Sequence, residues 1–167
     1  MRIGQILGQI LKRKFFFDNI IRPNLEVLEI GSGSNWTKTF ITEKNATYRS
    51  LDIMPPADIV CDIKDYKNSV ISDQSFDIII AFEVVEHVDC LNEIASLLKC
   101  GGLALVTTPV PHFDWLCKLL EFFHINQKRT SPHSNLIYLK EGLPKSLSLK
   151  KYRNPFLFAQ WAVLQKS

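Results

Sequence analysis

Residues 25–35 constrain what this chain can fold into more than any other stretch. The run Leu25-Glu-Val-Leu-Glu-Ile30 reads as a short buried strand, and it enters Gly31-Ser-Gly33 just before a helical stretch over residues 36–43. Glycines at such a junction let the backbone turn sharply and let a ligand approach it closely, beside the free amides of a helix N-terminus. Asp52 closes the next strand, 23 residues after Glu29. An acid there accepts ribose hydroxyls in doubly wound folds. A dinucleotide site wants a further small residue after the turn, and Trp36 stands in that place. This disfavours a NAD(P)-dependent reductase.

The rest of the chain extends the pattern. Ile3, Ile6, Leu7, Ile10, Leu11 and Phe15 recur at helical spacing, which predicts an amphipathic helix over residues 2–17, weakened by Gly4 and Gly8. Strands are predicted over 47–51, 58–61, 76–82 and 103–108; the third of these is nearly all apolar, as when both faces are covered. Asp89 is the expected N-cap of a helix running through Lys99, with Gly101-Gly102 as its left-handed stop. An apolar helix over 113–123, a short one over 139–143 and closing strands over 147–152 and 156–164 complete the reading. The last two strands lie too close for a long crossover, so one is antiparallel. The expected fold is α/β: a Rossmann-like doubly wound sheet, mostly parallel with one antiparallel C-terminal strand, and helices on both faces. We read residues 1–167 as one domain, with an N-terminal helix or lid (1–23), a cofactor-binding core (24–110) and a substrate-side segment (111–167).

Composition narrows the function classes. The 167 residues are 46% hydrophobic and 22% charged, as in an ordinary globular domain. No apolar run approaches the roughly 20 residues of a membrane-spanning helix. Lys12-Arg13-Lys14 interrupts the first apolar stretch, which argues against a secretory signal. Cys61, Cys90, Cys100 and Cys117 are scattered without paired spacing. That argues against a metal site or a disulfide framework, and for a reducing, cytoplasmic setting. Residues 1–23 carry net +4, residues 24–123 net −8 and residues 124–167 net +7. Basic ends around an acidic core suggest an anionic acceptor, small or lipid-like; nucleic acid ranks lower because no binding module is recognisable. The N-terminal helix is expected to pack as a lid over the cofactor. The alternative lays it on an anionic membrane with Lys12, Arg13 and Lys14 facing head groups.

Three segments carry a family resemblance. Val27-Leu-Glu-Ile-Gly-Ser-Gly-Ser34 resembles the first motif of class I methyltransferases, E/D-x-G-x-G-x-G. Phe76-Asp-Ile-Ile-Ile-Ala-Phe-Glu-Val-Val-Glu-His-Val88 and Leu97-Leu-Lys-Cys-Gly-Gly-Leu103 are similar to two later segments of that family, in the same order. The resemblance implies S-adenosylmethionine as cofactor. Gly31 and Gly33 would then approach its methionine portion, and Glu29 would orient the turn and the amino group. Asp52 would hold the ribose hydroxyls, with Ile53 against the adenine and Asp62-Ile63 beside it. Phe82 and Glu83 would line the sulfonium side. Two positions depart from the pattern: Asn35 stands for a third glycine and Cys100 for a proline. Asn tolerates left-handed geometry better than most residues.

Methyl transfer from a sulfonium needs a general base only when the acceptor must lose a proton. His87 and His112 are the candidates, because imidazole titrates nearest neutrality. Glu83 and Glu86 read equally as acids of a first helical turn, favoured by the macrodipole. The N/D-P-P-Y/F signature for planar amines is absent after residue 81, which points away from adenine or glutamine N-methylation. The competing reading is a catalytically silent S-adenosylmethionine-binding or scaffold protein. A branched side chain at Gly31 is expected to fill the space a ligand needs.

Overall fold

The computed structural model describes residues 3–113 and 134–167. Its strands are β1 (Glu26–Ile30), β2 (Thr47–Asp52), β3 (Ile59–Val60), β4 (Phe76–Phe82), β5 (Leu98–Pro109), β6 (Leu147–Arg153) and β7 (Ala159–Lys166). They form one sheet in the order β3-β2-β1-β4-β5-β7-β6. β1 to β5 pair in parallel, and β7 runs antiparallel between β5 and β6. The expected doubly wound sheet with one reversed C-terminal strand is therefore present.

Alternation along the strands loads both faces of the sheet. Leu28, Ile30, Ile79, Ala81, Ala104 and Val106 enter one core, whereas Val27, Ile78, Ile80, Leu105, Trp161 and Val163 enter the other. Helix α3 (Leu91–Leu97) and a 3-10 turn over Ile63–Asn68 close the first core, through Leu91, Ile94, Leu97, Ile63 and Tyr66. Helix α2 (Trp36–Thr42) and the N-terminal segment close the second, through Ile41, Phe15, Phe16 and Phe17. Each valine, leucine, isoleucine or phenylalanine among them, fully removed from water, contributes about 1.5–3 kcal/mol.

Four local expectations are corrected. Helix α1 covers Ile3–Lys12 and widens into a π turn at Arg13–Phe17. Its apolar stripe is not its buried face: Ile6, Leu7 and Ile10 are exposed, and the three consecutive phenylalanines carry the burial. The widened π turn is what lets three adjacent aromatics all reach the core. Next, α3 begins after Cys90, not Asp89, and ends at Leu97 because Leu98 is already extended and paired with Phe76. Gly101 is consequently no helix stop. Lys99, Cys100, Gly101 and Gly102 bulge opposite Asp77 alone, with Gly101 at φ +76°. Asp77 pins this bulge, its Oδ2 lying 2.8 Å from Lys99 Nζ and accepting from Glu26 N at 2.9 Å. Finally, residues 139–143 form a turn rather than a helix, with Leu139 anchored by Gln160 Oε1 at 3.0 Å. The helix expected over 113–123 lies almost wholly outside the described residues.

Candidate functional site

The strand order reverses between β1 and β4, so their C-terminal ends open the crevice where open α/β sheets bind ligands. A groove of 260 Å³ lined by Glu26, Arg49 and Phe76, among others, lies at the opposite strand edge, away from this crevice. The β1 end meets the fold's requirements through its backbone. Gly31 sits at φ +69°, Gly33 at φ +48° and Asn35 at φ +53° as the residue before α2. Asn35 thus takes the left-handed geometry expected of it. A Cβ on Gly31 would lie 2.6 Å from Val84 Cγ2, so this glycine admits the loop after β4. A Cβ on Gly33 would meet nothing nearer than 4.0 Å among the described residues.

Glu29 is 3% exposed and accepts hydrogen bonds from Thr37 Oγ1 and from Tyr48 Oη, the latter at 2.5 Å. Burial pushes its carboxyl up to about 7, partly offset by those two hydroxyls and by the charge of Lys12. A carboxyl that changes charge near neutrality, beside a glycine turn, suits a cationic ligand group. Asp52 ends β2 half-buried, its oxygens reaching Met54 N at 3.2 Å and Gly33 N at 3.5 Å. It therefore faces the glycine turn across the crevice, and Ile53 beside it is 69% exposed. Asp62 caps the 3-10 turn by accepting from Lys64 N at 2.9 Å. The Ile63 side chain is buried in the core.

At the end of β4 the Phe82 ring stacks 6.2 Å from Trp36 and 6.1 Å from Phe17. Trp36 thus fills with an aromatic the space that a glycine leaves open in dinucleotide sites. Glu83 takes φ +57°, a left-handed conformation costly for a non-glycine residue, and Glu83 N is fixed to Thr107 O at 2.9 Å. Its carboxylate accepts from Thr107 Oγ1 at 2.6 Å and from Lys12 Nζ at 3.3 Å. Desolvation pushes this carboxyl up, but Lys12 and Thr107 outweigh it and hold it below its usual range. Glu86 is 1% exposed, and its Oε2 has no hydrogen-bond partner among the described residues. Burial first, then the charge of Glu83, raises it to about 9. The pair keeps one proton at neutral pH, and neither acid belongs to the first turn of α3.

A folded-state value above the unfolded one means that the protonated form is the stabilised one. Glu86 thus contributes fully below 4.5, and that contribution is lost as the pH rises toward about 9. Glu86→Gln cannot ionise, so its stability relative to wild type should rise between about pH 5 and about pH 8.5. Thermal unfolding at both pH values checks this, and parallel profiles for the two proteins would count against a shared proton.

The histidines sit apart. His87 lies half-buried in the turn after β4, where its carbonyl accepts from Ser134 Oγ at 2.9 Å. His112 is exposed beyond β5, its Nδ1 2.8 Å from Tyr138 Oη. The structure therefore brings Glu29, Gly31, Gly33, Asp52 and Glu83 to the C-terminal ends of β1, β2 and β4, and His112 follows the neighbouring β5. Lys12, Thr37 and Tyr48 were not legible as site residues. Lys12 does not face outward with Arg13 and Lys14: its side chain is 19% exposed, turned onto Glu83 and 5.0 Å above the Phe82 ring. With Lys12 and Glu83 71 positions apart, no local pattern signals the pair.

A family model described as a methyltransferase domain matches residues 6–155. No curated protein matches the chain significantly. Among solved structures, the PH0226 protein from Pyrococcus horikoshii OT3 superposes with a TM-score of 0.66 at 12% identity, covering 97% of this chain and 91% of its own. A protein assigned as an S-adenosylmethionine-dependent methyltransferase from Listeria monocytogenes gives 0.64 at 12% identity, covering 97% and 99%. A SAM-dependent methyltransferase from Methanosarcina mazei gives 0.57 at 13% identity, covering 89% and 95%. At these identities the likeness is one of fold.

Proposed function

The chain belongs to the methyltransferase-domain family of class I, S-adenosylmethionine-dependent proteins, and on that premise we propose that it methylates a small or lipid-like anionic acceptor. The observation that carries this reading is the switch-point crevice itself. Open space at Gly33 and the Asp52 carboxylate across from it fit a nucleoside, and the buried Glu29 fits a cationic group. Asp52 would hold the ribose hydroxyls, Ile53 the adenine face, and Asp62 with the Ile63 backbone the adenine edge. Glu29 would orient the amino group, and the backbone of Gly31 and Gly33 would border the methionine portion. Phe82 and Glu83 would line the sulfonium side.

When bound, the cofactor supplies a methyl group already activated on a sulfonium. The protein's share is to position the acceptor in line and to exclude water. If the acceptor must lose a proton, His87 and His112 are the groups to take it. For His112 Nε2 to accept, its Nδ1–H must donate to Tyr138, a tautomer the 2.8 Å contact permits. Exposed Lys140, Lys145, Lys150, Lys151 and Arg153, within a segment of net +7, support an anionic acceptor.

Asp52→Ala is expected to weaken binding of S-adenosylmethionine by about 1–3 kcal/mol, through loss of charged hydrogen bonds to the ribose. Calorimetric titration of the folded variant checks this, and NAD in a parallel cell should show no binding to either protein. Unchanged affinity would remove Asp52 from the site. An acceptor screen with radiolabelled methyl donor then reads the activity itself.

A further inference from the structure

The apolar stripe of α1 faces outward and enters neither core. Ile6, Leu7 and Ile10 share one side of the helix, and they are 40%, 51% and 57% exposed. The side turned toward the protein carries Gly8, Gln9, Leu11 and Lys12, all half-buried. Most of the helix's apolar surface therefore lies in water, the reverse of a helix packed on a core by its greasy face. The same segment is basic throughout. Residues 1–17 contain Arg2, Lys12, Arg13 and Lys14 and no acid. Arg13 and Lys14 are exposed in the turn that follows the stripe. Arg13 lies 3.8 Å from Asp18, whereas Lys14 has no carboxylate within ion-pair distance among the described residues. A second source of positive charge stands beside them on the sheet. Lys151 Nζ donates to Phe15 O at 2.9 Å, and exposed Arg153 follows two residues further along β6.

From this arrangement we propose that α1 is a peripheral anchor. It lays Ile6, Leu7 and Ile10 into the interface of an anionic bilayer, with Arg13, Lys14, Lys151 and Arg153 toward the head groups. Charge and size choose this occupant. The cations oppose a partner of like charge, a second copy of the same stripe included. A 10-residue helix is about 15 Å long, a small face beside the roughly 800 Å² that each partner of a stable protein complex buries. A bilayer asks for no matching surface: apolar side chains enter the head-group boundary, and basic ones gain from anionic lipid. A short helix with two glycines binds membranes weakly when it must also fold to do so. Here it is held ready-formed, because Phe15, Phe16 and Phe17 tie its end to the core. Docking would set the crevice end of β4 beside the head groups, since Lys12 at the end of α1 lies 3.3 Å from Glu83 Oε1. The inference stands apart from the cofactor reading, because docking needs neither cofactor nor acceptor.

The test is co-sedimentation of the full chain with vesicles, in the absence of cofactor. Affinity for phosphatidylcholine vesicles containing phosphatidylglycerol should exceed that for pure phosphatidylcholine by about tenfold or more, and the excess should shrink as salt is raised. Replacing Leu7→Gln and Ile10→Gln together should lower affinity for the anionic vesicles by about tenfold or more. Both side chains are exposed, so this variant should melt at the wild-type temperature. Lys14→Gln should lower affinity by about fivefold at low salt, with the difference disappearing at high salt. Wild-type protein that binds neither vesicle overturns the proposal. So does equal affinity for the two vesicle types, or anionic binding that survives the Leu7 and Ile10 substitutions. Self-association abolished by those substitutions would make the stripe a contact between copies, and that result also overturns it.

Discussion

Gly31→Val is expected to lose about 3 kcal/mol or more of stability and all measurable cofactor binding. Two effects add at this position. The backbone sits at φ +69°, where a β-branched residue is strained, and a Cβ there would lie 2.6 Å from Val84 Cγ2. Relief requires the loop after β4 to move, and that loop carries Glu83, Glu86 and His87. The sequence alone suggests a different reason, that the side chain would occupy ligand space. A Cβ on Gly33, by contrast, would meet nothing nearer than 4.0 Å among the described residues. Urea denaturation of the variant, followed by titration with S-adenosylhomocysteine, separates the two. A stable Gly31→Val protein that binds the ligand tightly would show that residues 29–35 are not the nucleotide loop.

Phe16→Ala should cost about 3–5 kcal/mol, a large share of a typical domain's total stability. Phe16 is completely buried and packs against Phe15 at 4.7 Å, Phe82 at 5.0 Å and Trp161 at 5.8 Å between ring centroids. It therefore ties the N-terminal segment to β4 and β7 at once. Its removal leaves a cavity under the π turn and loosens the attachment of α1. The denaturation midpoint and slope give the stability change. A loss below about 1 kcal/mol would mean that the N-terminal segment is peripheral to the folding unit.

Much of this architecture is legible along the chain because its determinants are short-range. A parallel strand covered on both faces must be apolar throughout, so Phe76–Phe82 announces itself. A turn that needs positive φ asks for glycine or asparagine, and Gly31, Gly33 and Asn35 all take it. The misreadings have equally local causes. Gly101-Gly102 reads as a helix stop because glycine marks any left-handed position, and only pairing of Leu98 with Phe76 shows that the strand has already begun. Ile6, Leu7 and Ile10 read as a buried stripe because periodicity reports which residues share a face, not whether anything covers that face.

By itself, then, the sequence determined the α/β class, the glycine turn, the acid closing β2 and the family, since each follows from residue types at fixed short spacing. The tertiary structure alone decided three things. It set β7 between β5 and β6, because strand order depends on which edges meet after the chain folds back. It left Glu86 holding a proton beside Glu83, because that state comes from burial and from a neighbouring charge rather than from the residue type. And it carried Lys12 across 71 positions to Glu83, because the packing of Phe15, Phe16 and Phe17 brings the end of α1 within reach of that carboxylate.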